Sequence, residues 1–174
     1  YDKLQDVAGH LLRMTNTPWA PWVVVEGTDD RYRSLTVGQV LLEALRAPDL
    51  AGVIICPSNP FLSIDPILAV PGVRDALQQC TAPVIAVSPI VAGLAIKGPT
   101  AKIMEELALA QTAAAVAAHY GTLIDGFILD ETDRHLAAQL STQTLRVSCA
   151  QSVMVTLDDR INLAHTALDF LRTF

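Results

Sequence analysis

A short polar loop follows an aliphatic run near the middle of the chain. After Gly52-Val53-Ile54-Ile55-Cys56 comes Pro57-Ser58-Asn59-Pro60, and Ser63 lies three residues further on. Two hydroxyls, an amide and two rigid prolines could turn backbone N–H groups toward an anion or nucleotide, while the side chains bond hydroxyls or base edges. Serine, asparagine and proline are equally common in ordinary turns. The pattern alone leaves both interpretations open.

Two further stretches carry groups of the same kind. Ser88-Pro89 follows the aliphatic run Val84–Val87, and Lys97-Gly98-Pro99 precedes Thr100, a candidate helix cap. A lysine and a glycine before a helix N-terminus make a reasonable phosphate-binding seat. The alternative is a solvated lysine beside a tight turn.

An acidic stretch follows the aliphatic run Gly126–Leu129. The carboxylates of Asp130, Glu131 and Asp133 could bind Mg²⁺, but the same residues would also stabilise the positive end of a following helix. The second interpretation is favoured. The four histidines show no metal-ligand spacing, and no nucleophile or phosphate-loop motif occurs. Catalytic residues and metal ligands are therefore left unassigned.

These stretches need strands that end at one edge of a sheet, because open α/β sheets bind ligands outside the carboxyl ends of their strands. Five aliphatic runs are predicted to be strands: Trp22–Val25, Gly52–Cys56, Val84–Val87, Gly126–Leu129 and Leu145–Val147. Helical patterns separate them. The predicted fold is α/β, three-layer and Rossmann-like, with a mainly parallel sheet and helices on both faces.

Apolar residues at helical spacing predict the helices between these strands. Ser34 is the predicted N-cap of the second helix, and the last helix is expected to start near Asp158. The buried faces of the first, second and last helices are expected to include Val7, Leu11, Val37, Ala44, Ile161 and Leu168.

Composition limits the class of protein. The 174 residues suffice for one ordinary domain, and 51% of them are hydrophobic, which is typical of a well-packed core. The formal net charge is −6 and the basic residues are scattered, so nucleic-acid binding is not expected. We therefore expect a single domain that binds a small anionic ligand. Assembly into a homo-oligomer is left open.

The sequence also allows a prediction of the cellular location and of the state of the cysteines. No apolar run approaches the roughly 20 residues of a membrane span, and the first residues do not resemble a signal peptide. We therefore expect a cytoplasmic protein without a membrane partner. Cys56, Cys80 and Cys149 are odd in number and far apart, so buried free thiols are expected.

Several blocks of sequence match one enzyme family in identity, order and spacing. The blocks are Ile54–Pro60, Ser63–Leu68, Pro71–Arg74, Pro83–Ile90, Lys97–Pro99, His119–Gly121 and Leu129–Glu131. Through them, residues 48–174 resemble the C-terminal part of the 2-phospho-L-lactate transferases, which assemble the deazaflavin coenzyme F-420.

This resemblance implies an activity. A phospholactyl or related phosphoenolpyruvyl unit would move from a guanosine-diphosphate-linked donor to a hydroxyl on the ribityl tail of the deazaflavin Fo, with Mg²⁺ and loss of GMP. The residues implied to bind substrate are Pro57, Ser58, Asn59, Pro60, Ser63, Ser88, Pro89, Lys97, Gly98 and Pro99.

The N-terminal segment resembles a different family. The Gly-rich strand-to-helix turn of the transferases has no match, and residues 1–47 resemble the closing region of family-2 polyphosphate kinases, through Thr17–Gly27 and Asp29–Val37. The strand Trp22–Val25, a crossover helix and the strand Gly52–Cys56 would join both segments in one βαβ unit, with a junction near 47/48. Two alternatives follow: a polyphosphate-dependent nucleotide phosphotransferase, and a non-catalytic folded hybrid or designed domain.

Overall fold

The chain separates into two compact units, Tyr1–Gln39 and Val40–Phe174. The computed structural model describes residues 2–18, 21–95 and 98–174. Two long helices come first, α1 (Asp2–Thr15) and α2 (Asp30–Leu45). The expectation of a single domain stays a prediction, and the two units are described separately.

Helix α1 forms where the sequence predicts it, but its apolar residues are not buried. Val7 is 51% exposed and Leu11 is 55% exposed. Helical spacing fixes which residues share a face, whereas burial needs a neighbouring surface to cover that face. The prediction of a buried face is wrong for these two residues.

The predicted strand Trp22–Val25 is also wrong, because residues 21–27 are neither strand nor helix. The segment is held instead by side chains that precede it. The backbone N–H of Trp22 donates to Oδ1 of Asn16 at 2.8 Å, and its indole Nε1 donates to Oγ1 of Thr15 at 2.8 Å. A strand needs a paired neighbour for its backbone, which an aliphatic run by itself does not supply.

Helix α2 begins earlier than predicted, at an aspartate cap. Oδ1 of Asp29 accepts hydrogen bonds from the backbone N–H groups of Arg31 and Tyr32, at 2.8 and 2.9 Å. Ser34 is not the N-cap, because it lies inside the helix and its hydroxyl donates back to the carbonyl of Asp30. The helix therefore starts with the acidic residue that its dipole favours.

The larger unit is built on a parallel four-stranded sheet. The strands of this unit are β1 (Val53–Ile55), β2 (Val84–Val87), β3 (Ile90–Val91), β4 (Leu94–Ala95), β5 (Gly126–Asp130) and β6 (Arg146–Ala150). The strands of the sheet lie in the order β1-β2-β5-β6, and a separate antiparallel hairpin, β3-β4, follows β2. The prediction of a mainly parallel sheet is confirmed, and β6 extends three residues beyond its predicted end.

Helices and tight turns connect these strands. Those of the larger unit are α3 (Asp65–Leu68), α4 (Val73–Gln79), α5 (Thr100–Glu106), α6 (Ala113–Tyr120), α7 (Ala137–Leu140) and α8 (Leu157–Leu171), with a π-helical turn at Pro60–Ile64 and 3₁₀ turns at Gly121–Leu123 and Glu131–Leu136. No helix in the described part of the chain is long and apolar enough to cross a membrane.

The sheet carries a hydrophobic core on each face, which confirms the three-layer prediction. Alternate residues of β2 point to opposite faces: Ala86 packs in the larger core beneath α4 and α6, and Ile85 packs in the smaller one. Helix α8 covers the smaller core with Leu163 and Ala167. Ile161 and Leu168 are 44% and 43% exposed, so the prediction that these two residues are buried is wrong.

The cysteines are free, as predicted, but they are not buried. Cys56 is exposed, and Cys80 and Cys149 are half-buried. Cys56 lies one residue past the end of β1, where the chain has left the core. An aliphatic run predicts the strand but not the residue at which burial ends.

Candidate functional site

A cleft of about 540 Å³ opens at the carboxyl edge of the sheet. It takes residues from the loops that follow β1, β2 and β6 and from the segment before α5. The residues that line it are Pro57, Ser58, Asn59, Leu62, Ser63, Ser88, Pro89, Gly98, Pro99, Ser152, Met154 and Arg160. We call this group the cleft throughout.

Eight of the ten substrate-binding residues expected from the sequence line the cleft. Of the other two, Pro60 is buried and does not line it, and Lys97 lies outside the described residues. Leu62, Ser152, Met154 and Arg160 line the cleft without having been anticipated.

The loop after β1 is shaped by Asn59. Its Oδ1 accepts hydrogen bonds from the backbone N–H groups of Phe61 and Leu62, both at 3.0 Å, so it caps the π-helical turn. The N–H of Asp65 reaches back five residues to the carbonyl of Pro60. Such π turns are rare and are often found at functional sites.

The same asparagine leaves a donor without an acceptor. Nδ2 of Asn59 is buried and has no hydrogen-bond partner among the described residues. Because Oδ1 already accepts two N–H groups, rotating the amide by 180° would only place Nδ2 against donors. Buried donors without a partner are rare in native proteins, so the unpaired Nδ2 makes Asn59 the unusual residue of this loop.

A contact between a histidine and an aspartate supports this loop from behind. Nε2 of His119, on α6, lies 3.0 and 3.1 Å from the two carboxylate oxygens of Asp65, on α3. The ring of Phe61 packs on the same histidine, with ring centroids 4.8 Å apart. The π-helical turn is therefore tied to α6, and its residues on the cleft side have a fixed support.

The turn after β2 uses its own serine. The hydroxyl of Ser88 donates to the carbonyl of Ile90 at 2.8 Å and accepts from the N–H of Ile90 at 3.1 Å. Ser88 is almost fully buried. It lines the cleft as predicted, but its hydroxyl is occupied in shaping the turn.

The hairpin β3-β4 is anchored by Asp133. Its Oδ2 accepts the backbone N–H of Ala92 at 2.9 Å, at a position where Ala92 adopts a left-handed conformation with φ of 50°. The hairpin precedes Gly98 and Pro99, which line the cleft. A buried carboxylate therefore fixes the hairpin through one backbone N–H.

Asp130 is the last residue of β5, and both of its carboxylate oxygens accept hydrogen bonds from neighbouring residues. Oδ1 accepts from the N–H and hydroxyl of Thr132, at 3.0 and 2.8 Å, and Oδ2 accepts from the N–H and hydroxyl of Ser152, at 2.8 and 2.9 Å. Burial alone would raise the pKa of Asp130, but these four hydrogen bonds outweigh it and hold the pKa below its ordinary value. The carboxylate is ionised and serves as a structural acceptor.

The acidic stretch therefore has structural roles, as the sequence favours, but of its three carboxylates only that of Asp130 caps the 3₁₀ turn that follows. Glu131 pairs with Arg134, and Asp130 and Asp133 hold backbone N–H groups. No group of three or more histidine, cysteine, aspartate or glutamate residues suited to a metal ion occurs in the described part of the chain.

The far wall of the cleft comes from the connection between β6 and α8. Asp130 orients Ser152, and the N-terminus of α8 is closed by a capping box in which Thr156 and Asp159 exchange hydrogen bonds. Arg160 follows in the first turn of that helix. This wall is not predicted by the sequence, because the aliphatic run ends at Val147 and leaves the loop after β6 away from the carboxyl edge.

Fold and cleft together define a Rossmann-like α/β protein with a cleft at the carboxyl edge of a parallel sheet, the edge at which open α/β sheets bind ligands. Residues 22–169 match the family described as 2-phospho-L-lactate transferase CofD. The chain belongs to this family.

Individual relatives agree with the family assignment. The chain is 36% identical over 129 residues to a phosphoenolpyruvate transferase of Kitasatospora aureofaciens, covering 74% of this chain and 40% of the relative. It is 33% identical over 129 residues to the 2-phospho-L-lactate transferase of Methanocaldococcus jannaschii, covering 74% and 39%. With the 2-phospho-L-lactate transferase of Methanosarcina acetivorans it shares 35% identity over 150 residues, covering 86% and 48%. The chain thus spans less than half the length of these relatives.

The comparisons also correct the family boundary. The match begins at residue 22, so it includes residues 22–47 of the segment that was expected to resemble polyphosphate kinases. The polyphosphate kinase resemblance finds no support. The family match runs across the suggested junction near 47/48.

Proposed function

We propose that this chain provides part of the substrate cleft of a 2-phospho-L-lactate or phosphoenolpyruvate transferase in coenzyme F-420 biosynthesis. The observation that carries the proposal is the convergence of three loops on one cleft: Pro57–Ser63, Ser88-Pro89 and Gly98-Pro99. Each lies in or beside a block through which the sequence resembles the transferases. Because whole relatives are more than twice as long as the matched region, the activity of the complete enzyme is part of the proposal.

The cleft has the chemistry to hold a planar ring with polar substituents. Its apolar wall includes Pro57, Leu62, Pro89 and Met154. Binding sites of this kind are mostly apolar, with a few polar groups that fix orientation. A guanine base or a deazaflavin ring would match this lining.

Two serines add free polar groups to that wall. The side-chain hydroxyls of Ser58 and Ser63 have no hydrogen-bond partner among the described residues, in contrast to that of Ser88. Such hydroxyls can donate to or accept from a ribose, a base edge or a phosphate. They are the groups of the loop that are free to orient a substrate.

The proposed reaction is a displacement at phosphorus. A hydroxyl oxygen of the Fo ribityl tail forms a bond to the phosphorus that carries the lactyl or enolpyruvyl group, the bond from that phosphorus to GMP breaks, and the hydroxyl proton is lost. The described residues that line the cleft include no carboxylate or histidine, so we assign no proton acceptor to them. Their proposed role is to bind and orient.

In this proposal Mg²⁺ would be bound by the diphosphate of the donor and not by the residues of the cleft. Protein sites for Mg²⁺ combine one or two carboxylates with substrate phosphates. The described residues of the cleft contain no carboxylate, and the oxygens of Asp130 are engaged by Thr132 and Ser152. These residues therefore do not fit a protein-bound Mg²⁺ centre, and no step is assigned to the ion.

Calorimetric titration tests the proposal directly. GDP with Mg²⁺ and Fo would be titrated separately into the wild-type chain and into a Ser58→Ala/Ser63→Ala variant. The wild type is expected to bind both ligands, and the variant to bind at least one of them several-fold more weakly. Ser141→Ala, an exposed serine that does not line the cleft, is the matched control. No heat from either ligand with the wild-type chain would overturn the proposal.

A further inference from the structure

The described residues that line the cleft carry one positive charge and no negative one. Arg160 is the sole charged residue among the described residues that line it. The chain as a whole is acidic, with 18 carboxylate residues against 12 lysines and arginines. The sign of the charge in the cleft is therefore opposite to that of the protein, which favours an anionic ligand.

Among the described residues Arg160 also has no side-chain partner, in contrast to three other arginines of the chain. Arg33, Arg134 and Arg172 pair with Asp30, Glu131 and Asp169. Arg160 has no ion pair or hydrogen bond from its side chain among the described residues.

The acidic neighbours of Arg160 do not neutralise it. The carboxylate of Asp159 is engaged in the capping box, where it accepts from the N–H groups of Val155 and Thr156. Asp158 lies two residues before Arg160 on the helix, and residues at that spacing do not face each other. The guanidinium is therefore free to meet a ligand.

The position of Arg160 is unfavourable for the helix itself. It is the fourth residue of α8, in the turn where the helix dipole is positive. Cations are disfavoured there and anions favoured. A ligand phosphate beside this turn would relieve the repulsion and interact with both the guanidinium and the dipole.

We propose that Arg160 is the anion-binding residue of the cleft and that it holds the diphosphate of a nucleoside diphosphate or its ester. This inference rests on the proposed function and adds to it the residue that distinguishes a charged nucleotide from a neutral nucleoside. A guanidinium presents a planar fork of N–H donors that matches two phosphate oxygens. The apolar wall of Leu62 and Met154 would contact the base, and Arg160 would hold the charge.

The test compares charged and neutral probes on matched variants. Arg160→Gln removes the charge and keeps most of the side-chain length. Arg172→Gln, on the same helix, removes an exposed arginine that is paired with Asp169 and does not line the cleft. GDP, guanosine and inorganic pyrophosphate would be titrated into the wild type and both variants, after circular dichroism and a urea midpoint have shown that each variant is folded.

The expected result is selective for charge. Arg160→Gln should weaken GDP and pyrophosphate by about 10- to 100-fold and leave guanosine unchanged, whereas Arg172→Gln should bind all three probes as the wild type does. The wild-type affinity for GDP should also fall with added salt more steeply than that of Arg160→Gln. Equal GDP binding by the wild type and Arg160→Gln would overturn the role assigned to Arg160 and leave the proposed function standing.

Pyrophosphate separates this inference from the proposed function. Binding of pyrophosphate that depends on Arg160, with no binding of GDP or Fo, would uphold Arg160 as an anion-binding residue and would contradict both its assignment to a nucleotide and the transferase proposal. Failure of the wild type to bind any of these probes would overturn both.

Discussion

The carboxylate of Asp130 accepts both the backbone N–H and the hydroxyl of Ser152, at 2.8 and 2.9 Å, and thereby ties the end of β5 to the loop after β6. That loop supplies Ser152 and Met154 to the cleft and leads into the helix that carries Arg160. One buried carboxylate thus positions the wall of the cleft that comes from the C-terminal part of the chain, far in sequence from the Pro57–Pro60 loop.

Replacing Asp130 by asparagine should destabilise the fold. An amide can accept at its oxygen, but its N–H₂ group would face the N–H donors of Thr132 or Ser152. We expect a loss of about 2–4 kcal/mol in the free energy of unfolding, measured by urea denaturation, because hydrogen bonds to a charged acceptor are lost and buried donors are left unpaired. Asp169→Asn, in an exposed pair with Arg172, should change it by less than about 1 kcal/mol. Similar losses in both variants would show that Asp130 is not a special acceptor.

The stability of the wild type should fall in acid in a way that depends on Asp130. Its pKa is lowered in the folded state, while the unfolded chain has an ordinary aspartate pKa of about 3.9. Between these two pKa values the unfolded state binds more protons, so the contribution present above the unfolded value is lost as the pH falls through the folded value.

The measurement is a set of urea unfolding curves from pH 7 down to pH 3. Asp159, whose pKa is lowered by hydrogen bonds from Thr156, contributes in the same direction in every variant that retains it. The free energy of unfolding should therefore fall with pH less steeply in Asp130→Asn than in the wild type. Parallel curves would contradict the role assigned to Asp130.

Asn59 should have two separable roles, as a cap and as a donor. Asn59→Ala removes the acceptor for the N–H groups of Phe61 and Leu62 and should cost about 0.5–2 kcal/mol of stability. Asn59→Ser keeps a capping acceptor without the amide N–H₂, so its free energy of unfolding should stay within about 0.5 kcal/mol of the wild type.

Ligand titration then isolates the donor. If the ligand or a water bound with it supplies the missing acceptor for Nδ2, Asn59→Ser should bind GDP about 5- to 30-fold more weakly, in line with the loss of one hydrogen bond. Wild-type affinity in Asn59→Ser would limit Asn59 to its structural role.

Gly126 allows α8 to lie against the sheet. A Cβ at this position would come within 2.8 Å of Cγ2 of Ile85, Cε1 of Phe170 and Cζ of Phe174. Gly126→Ala should therefore cost about 1–3 kcal/mol in the free energy of unfolding, because the core must shift to admit the methyl group. Gly27→Ala, whose Cβ would meet no atom within 4 Å, should stay within about 1 kcal/mol of the wild type.

A second substitution checks the cause. Phe170→Leu should relieve part of the crowding, so the double variant should be less destabilised than the sum of the two single variants. Strict additivity would mean that Gly126 is required for another reason.

Local sequence was sufficient to predict most of the larger unit. Val84–Val87 and Gly126–Leu129 are buried on both faces, so a continuous aliphatic run was a reliable sign of a central parallel strand. The helix that begins at Val73 buries Val73, Ala76 and Leu77 as their spacing requires. The predicted ends of β1 and β2 are within one residue of the observed ends. The rule that ligands bind outside the carboxyl ends of parallel strands therefore placed Pro57–Ser63 and Ser88-Pro89 at the cleft.

Tertiary structure decided the rest, because it depends on which surfaces meet. Trp22–Val25 has the composition of a strand but no paired neighbour, so it does not form one. Helix α8 has apolar residues on more than one side, and only its packing against β2 and β5 decided that Leu163 and Ala167 are the buried ones. Arg160 is one of several exposed arginines in the sequence. It became a candidate ligand residue only when the end of β6, fixed by Asp130 and Ser152, placed the first turn of α8 in the same cleft as Pro57–Asn59.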